Sequence, residues 1–126
     1  MADTSIHHFA GLKGGVVSNS GQESKDSFEH SSPLKKEFVK SVGDIFDELK
    51  ILLLKKHIDY GPKNISDSPG GPINGLRVRM HDKLARINNL VDKEQSPNFE
   101  AIEDSFKDMA NYAIIGLLVL RNEWDN

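Results

Sequence analysis

Phe99-Glu-Ala-Ile-Glu-Asp-Ser-Phe106-Lys-Asp-Met-Ala-Asn-Tyr-Ala-Ile-Ile-Gly-Leu-Leu-Val-Leu120-Arg-Asn-Glu-Trp124 is the stretch on which the fold turns. Phe99, Ile102, Phe106, Met109, Ala113, Leu117, Leu120 and Trp124 recur at helical spacing and predict one helix with an apolar seam. At about 100° per residue, with Phe106 as zero, Asp104, Asp108 and Asn111 fall at about 160°, 200° and 140°, away from that seam. Further along, the outer line becomes Ile115, Leu118 and Val119 while the inner one continues as Leu117 and Leu120. A helix that is apolar around its whole circumference is buried around it. Asp104, Asp108 and Asn111 are therefore expected to look into a sheltered space. Two carboxylates about 5–6 Å apart in such a space call for a cation. The competing expectation is an ion-paired seam that answers Lys or Arg of a neighbour.

Upstream, Leu76, Met80, Leu84, Ile87 and Val91 predict a helix from about Asn74 to about Lys93. Arg79, Asp82, Arg86 and Asn89 lie opposite its seam, with His81 and Lys83 at the flank. The order Asp82, Arg86, Asn89 repeats the spacing of Asp104, Asp108, Asn111, so the two helices are expected to line one pocket. Acid and amide oxygens suit magnesium, and guanidinium groups suit phosphate oxygens, so the mixture points to a phosphorylated small molecule. For Arg79 and Lys83 a solvated helix face stays open as an alternative.

A first helix is predicted from Ser32 as N-cap and Pro33 at the first helical position to about His57, with Phe38, Val42, Ile45, Leu49 and Leu52 on one face. The last helix should begin at Ser96-Pro97 in the same way. Between the first two helices, Asp59-Tyr60-Gly61-Pro62 and Ser68-Pro69-Gly70-Gly71-Pro72 read as a long irregular connection. It is either a lid that brings Lys56, Tyr60, Lys63 and Asn64 over the pocket or a structural turn. His57 and His81 lack ligand spacing and read as structural. No segment alternates as a strand does.

The expected fold is all-α: a three-helix core, residues 34–126, that assembles into a helical-bundle homo-oligomer behind a flexible Ser- and Gly-rich leader, residues 1–33. The 126 residues carry 16 basic and 19 acidic side chains and no cysteine. That excludes disulfides and thiolate metal sites and disfavours a duplex nucleic acid partner. No apolar run approaches the roughly 20 residues of a membrane span, and no signal pattern opens the chain, so a soluble, cytoplasmic protein is expected.

Three motifs in order, Lys56-His-Ile-Asp-Tyr-Gly61, Met80-His-Asp-Lys-Leu-Ala-Arg-Ile-Asn-Asn-Leu90 and Glu103-Asp-Ser-Phe-Lys-Asp-Met-Ala-Asn-Tyr-Ala-Ile-Ile115, resemble the nucleotide modification associated domain family of phages and bacteria over about residues 35–124. That family is similar in helix pattern to the MazG group of all-α nucleoside triphosphate pyrophosphohydrolases, whose paired acidic clusters hold magnesium on the triphosphate. The resemblance implies a bacterial or phage-infected host cell and a nucleotide or nucleoside-phosphate ligand. Lys56, Tyr60, Lys63, Asn64, Arg79, Lys83, Arg86, Asn89 and Asn111 would contact it, and Asp82, Asp104 and Asp108 would hold Mg2+. Asp108-x-x-Asn111, with Asp104 a turn earlier, stands at the second acidic cluster, whereas His81-Asp82-Lys83 and Arg86 stand where glutamates form the first. The implied activities are magnesium-dependent release of pyrophosphate or, with fewer carboxylates, binding without turnover. A purely structural helical oligomer is the reading from another class.

Overall fold

Helix starts and stops follow local backbone chemistry more closely than the apolar count alone suggests. The computed structural model describes residues 33–93 and 98–125. Among them are four helices and no strand: α1 (Lys36–Tyr60), α2 (Lys63–Ser66), α3 (Pro72–Asp92) and α4 (Phe99–Leu120). The expected caps Ser32 and Ser96 and the leader up to residue 32 lie outside the described residues.

α1 begins three residues beyond Pro33 and ends where Gly61, at φ 70, returns its N–H to the His57 carbonyl at 2.8 Å. α3 starts on Pro72 behind Gly71 at φ 93, where the missing proline N–H costs nothing. Asn98 caps α4, its side chain accepting the Ala101 N–H at 3.1 Å. α4 stops at Leu120, not at Trp124 as the seam predicts. Asn122 takes φ 56, its N–H reaches the Val119 carbonyl at 3.2 Å and that of Glu123 reaches Leu118 at 2.8 Å, the paired bonds of a Schellman ending.

The connection between α1 and α3 is also more ordered than its Gly and Pro content predicts. α2 interrupts it, anchored by Ile65 at 1% exposure. Gly75 is required opposite it, because a Cβ there would collide with Ser68.

The chain forms two units, residues 1–47 and 48–126. The described part of the first is a helical segment with a Lys40–Asp44 ion pair at 2.7 Å, and its Leu34, Phe38, Val42, Ile45 and Phe46 are all exposed. The second holds the core: Leu49 from α1, Ile65 from α2, Leu76 and Ile87 from α3, and Ala101 from α4.

Packing within the second unit reverses the expected orientation of α4. Phe99 (76% exposed), Phe106 (59%), Leu117 and Leu120, read as the inward seam, face outward. Ala101, Ser105 and Asn111 are buried, with Asp108 partly covered beside them. Small side chains explain the choice: Ser105, fully buried, satisfies its hydroxyl on the Ala101 carbonyl at 2.9 Å, and a Cβ on Gly116 would stand 3.9 Å from Leu76. α3 is split in the same way, with Leu76 and Ile87 inward but Leu84 and Val91 exposed. Hydrophobic periodicity locates an apolar stripe; it does not say whether the chain itself covers that stripe.

Candidate functional site

Turning Asp108 and Asn111 inward opens a pocket inside the second unit. Its volume is about 350 Å³, at the lower end of small-ligand pockets. Lys56, His57 and Tyr60 on α1 form one wall, Gly61, Asn64 and Ile65 a second, Arg79 and Lys83 on α3 a third, and Asp108, Asn111 and Tyr112 on α4 the floor, with Trp124 beyond α4 at the rim.

Asp108 is the centre of its charge arrangement. Lys56 Nζ donates to Asp108 Oδ1 at 2.8 Å and Lys83 Nζ lies 2.9 Å from Oδ2, so each carboxylate oxygen carries its own ammonium. Burial pushes the Asp108 carboxyl upward, but the two lysines outweigh it and hold it below the usual carboxylate range. The same contact raises Lys56 above an ordinary lysine. Arg79 is fixed from the other side, donating to the Asn64 carbonyl at 2.9 Å and to Ser68 Oγ at 3.1 Å. Three cationic side chains thus line the pocket against one carboxylate.

Asn111 has a settled orientation. Its Nδ2 donates to the Leu49 carbonyl at 3.2 Å, which only the amide nitrogen can do, and Oδ1 is buried with no donor among the described residues. Trp124 is tied back by its indole N–H to the Pro62 carbonyl at 3.2 Å and meets the His57 ring edge-on at 5.0 Å. His57 Nε2 also lies 2.8 Å from Asp125.

Of the residues singled out from the sequence, the pocket gathers Lys56, Tyr60, Asn64, Arg79, Lys83, Asp108 and Asn111. Lys63, Asp82, Arg86, Asn89 and Asp104 are exposed and outside its lining. Arg86 follows Arg79 along one line of α3 but about 10 Å further on, and Asp104 sits one turn before Asp108. The three aspartates expected to share magnesium do not converge: Asp82 and Asp104 stand outside the pocket, and both Asp108 oxygens are held by lysines. Among the described residues no three His, Asp or Glu side chains are placed to hold a metal ion.

His57 and Trp124 are pocket residues that the sequence pattern places elsewhere, and Tyr112 is one to which it gives no role. Asn122, a residue type tolerant of the left-handed region, is the signal that α4 ends before Trp124 and turns it back.

Residues 73–120 match the nucleotide modification associated domain 1 family. The nucleotide modification associated domain 1 match spans α4 and nearly all of α3, so it carries Arg79, Lys83, Asp108, Asn111 and Tyr112, while Lys56, Tyr60 and Trp124 flank it. No curated protein and no solved structure matches the chain. Among the described residues, no helix is long and apolar enough to cross a membrane.

Proposed function

We propose that the chain binds a nucleotide or nucleoside phosphate in the pocket between α1, α3 and α4. The observation that carries this reading is the lining itself: Lys56, Lys83 and Arg79 against Asp108 alone, beside the rings of Tyr60, Tyr112 and Trp124. Preorganised cations suit phosphate oxygens, and aromatic faces suit a base. Asn111 Oδ1, buried and without a donor among the described residues, is an acceptor that a ligand N–H would satisfy if the wall eased open. The family match over α3 and α4 supports the same ligand class.

Trp124 is the chain's one tryptophan and stands at the pocket rim, which makes it the reporter. Titration with a panel of nucleoside mono-, di- and triphosphates is expected to change its fluorescence and to raise the melting temperature in parallel. If no member of the panel does either, this reading falls. Pyrophosphate release, measured on the same panel with magnesium, separates turnover from binding alone.

The outward apolar residues favour a second element of the proposal, that the working form is a homo-oligomer. Among the described residues only five apolar side chains are buried, while Phe99, Phe106, Leu117 and Leu120 lie exposed on one side of α4. A core that small leaves little stability for a chain on its own, and covering the stripe with the same stripe of a second copy removes it from water. Light scattering of the purified chain is expected to give at least twice the monomer mass.

A further inference from the structure

We infer that phosphate is gripped directly by Lys56, Lys83 and Arg79, and that Asp108 is a resident counter-anion that positions the two lysines, not a ligand to a bridging divalent ion. This rests on the nucleoside-phosphate reading above, and it departs from the magnesium set that family resemblance implies.

The geometry leaves the carboxylate no free oxygen. Lys56 takes Oδ1 at 2.8 Å and Lys83 takes Oδ2 at 2.9 Å. Magnesium demands oxygens at about 2.0–2.1 Å in near-octahedral array and is held by at least one or two carboxylates beside the phosphate. At Asp108 it would have to share an oxygen that already accepts from an ammonium and stand beside both lysines, and neither Asp82 nor Asp104 lines the pocket to offset the repulsion. A phosphate meets the opposite situation. The two ammoniums keep further N–H bonds to give, since each has three donors and spends one on Asp108. Arg79 is held by Asn64 and Ser68, so its fork is already ordered when the ligand arrives.

Asp108 therefore acts in two opposed ways. It orders Lys56 and Lys83, which share one carboxylate from two different helices and would otherwise repel each other. It also places a negative charge beside the incoming phosphate. Losing the charge while keeping the shape removes the repulsion on the phosphate, and the looser lysines offset part of that gain, so Asp108→Asn is expected to tighten phosphate binding by about tenfold, well short of the full effect of an adjacent charge.

Isothermal titration of the full chain with AMP, ATP and inorganic pyrophosphate, each in EDTA and in excess magnesium, tests this. Binding in EDTA that magnesium leaves unchanged or weakens, with tighter binding by Asp108→Asn and wild-type affinity in Asp108→Glu, is the expected result. Nucleotide binding that requires magnesium overturns the inference and leaves the nucleotide reading standing. Should Asp108→Asn fail to fold, the two wild-type arms decide alone. Pyrophosphate bound in EDTA while neither nucleotide binds keeps the inference and removes the nucleotide reading; no binding by any probe removes both.

Discussion

The two sides of α4 invert the usual relation between apolar character and burial. The inner side is small and polar, Ala101, Ser105, Asp108 and Asn111, and lies against the rest of its unit. The outer side is large and apolar, Phe99, Phe106, Leu117 and Leu120, and faces outward. The inner side builds a charged pocket because small residues let α3 and α4 approach while leaving space around Asp108. The outer side is the stripe on which the homo-oligomer proposed above would be built.

The comparison breaks most sharply at Phe106. Exchange of an exposed residue in a monomer shifts stability by less than about 0.5 kcal/mol. If the outer side is an interface, Phe106→Asp is expected to weaken association by about 2–4 kcal/mol, the cost of an aromatic anchor. Sedimentation across a dilution series would show the species dissociating at higher concentration than wild type, while a monomeric wild type would refute the contrast.

On the inner side, Arg79→Ala removes two hydrogen bonds to the α1–α3 connection and one cation from the pocket. Chemical denaturation is expected to show a loss of about 2 kcal/mol, with phosphate affinity falling by at least tenfold. Asn111→Leu sharpens the same side differently. It loses the bond to Leu49 but also removes the donorless Oδ1, so stability should move by about 1 kcal/mol or less while nucleotide affinity drops. An equal loss in both measurements would mean that Asn111 only holds α1 to α4. The cap serves both sides alike: Asn98→Ala should cost about 1 kcal/mol in denaturation with affinity unchanged.

The smallest effect is electrostatic. Asp108 is depressed in the folded chain, so its contribution is complete above the ordinary aspartate pKa of about 3.9 and disappears as pH falls through the lower folded value. Lys56 is raised, so its contribution is complete below the ordinary lysine pKa and disappears as pH climbs through the higher folded value. Melting temperature against pH should therefore owe nothing to this cluster between those limits, and Asp108→Asn should shallow the acid decline.

Helix content was legible because apolar residues repeat at helical spacing; rotation about two axes brought Arg79, Asp108 and Asn111 to one side, but it put Asp82, Arg86, Asn89 and Asp104 there too, and these stand outside the pocket. Which stripe turns inward was not. Periodicity weighs apolar area, whereas packing here followed the small residues Ala101, Ser105 and Gly116. The aromatic rim was hidden for a second reason: continuing α4 through Trp124 placed it on the apolar stripe, and only the backbone reversal at Asn122 returns it to Pro62 and His57. Ile65 was missed because a single apolar residue has no period.

At position 75 the α-carbon carries only hydrogen, and the space beside it is taken. Ser68 occupies the volume that any larger substituent there would claim, and Ser68 is also a hydroxyl on which the Arg79 guanidinium rests. One added methyl, as in Gly75→Ala, would act as a wedge driven between connection and helix, colliding with Ser68 and standing 2.9 Å from Arg79 Nη1, so that hydroxyl and guanidinium are both pushed from their places. The placement of the Arg79 guanidinium is thus set partly by an atom the chain leaves out.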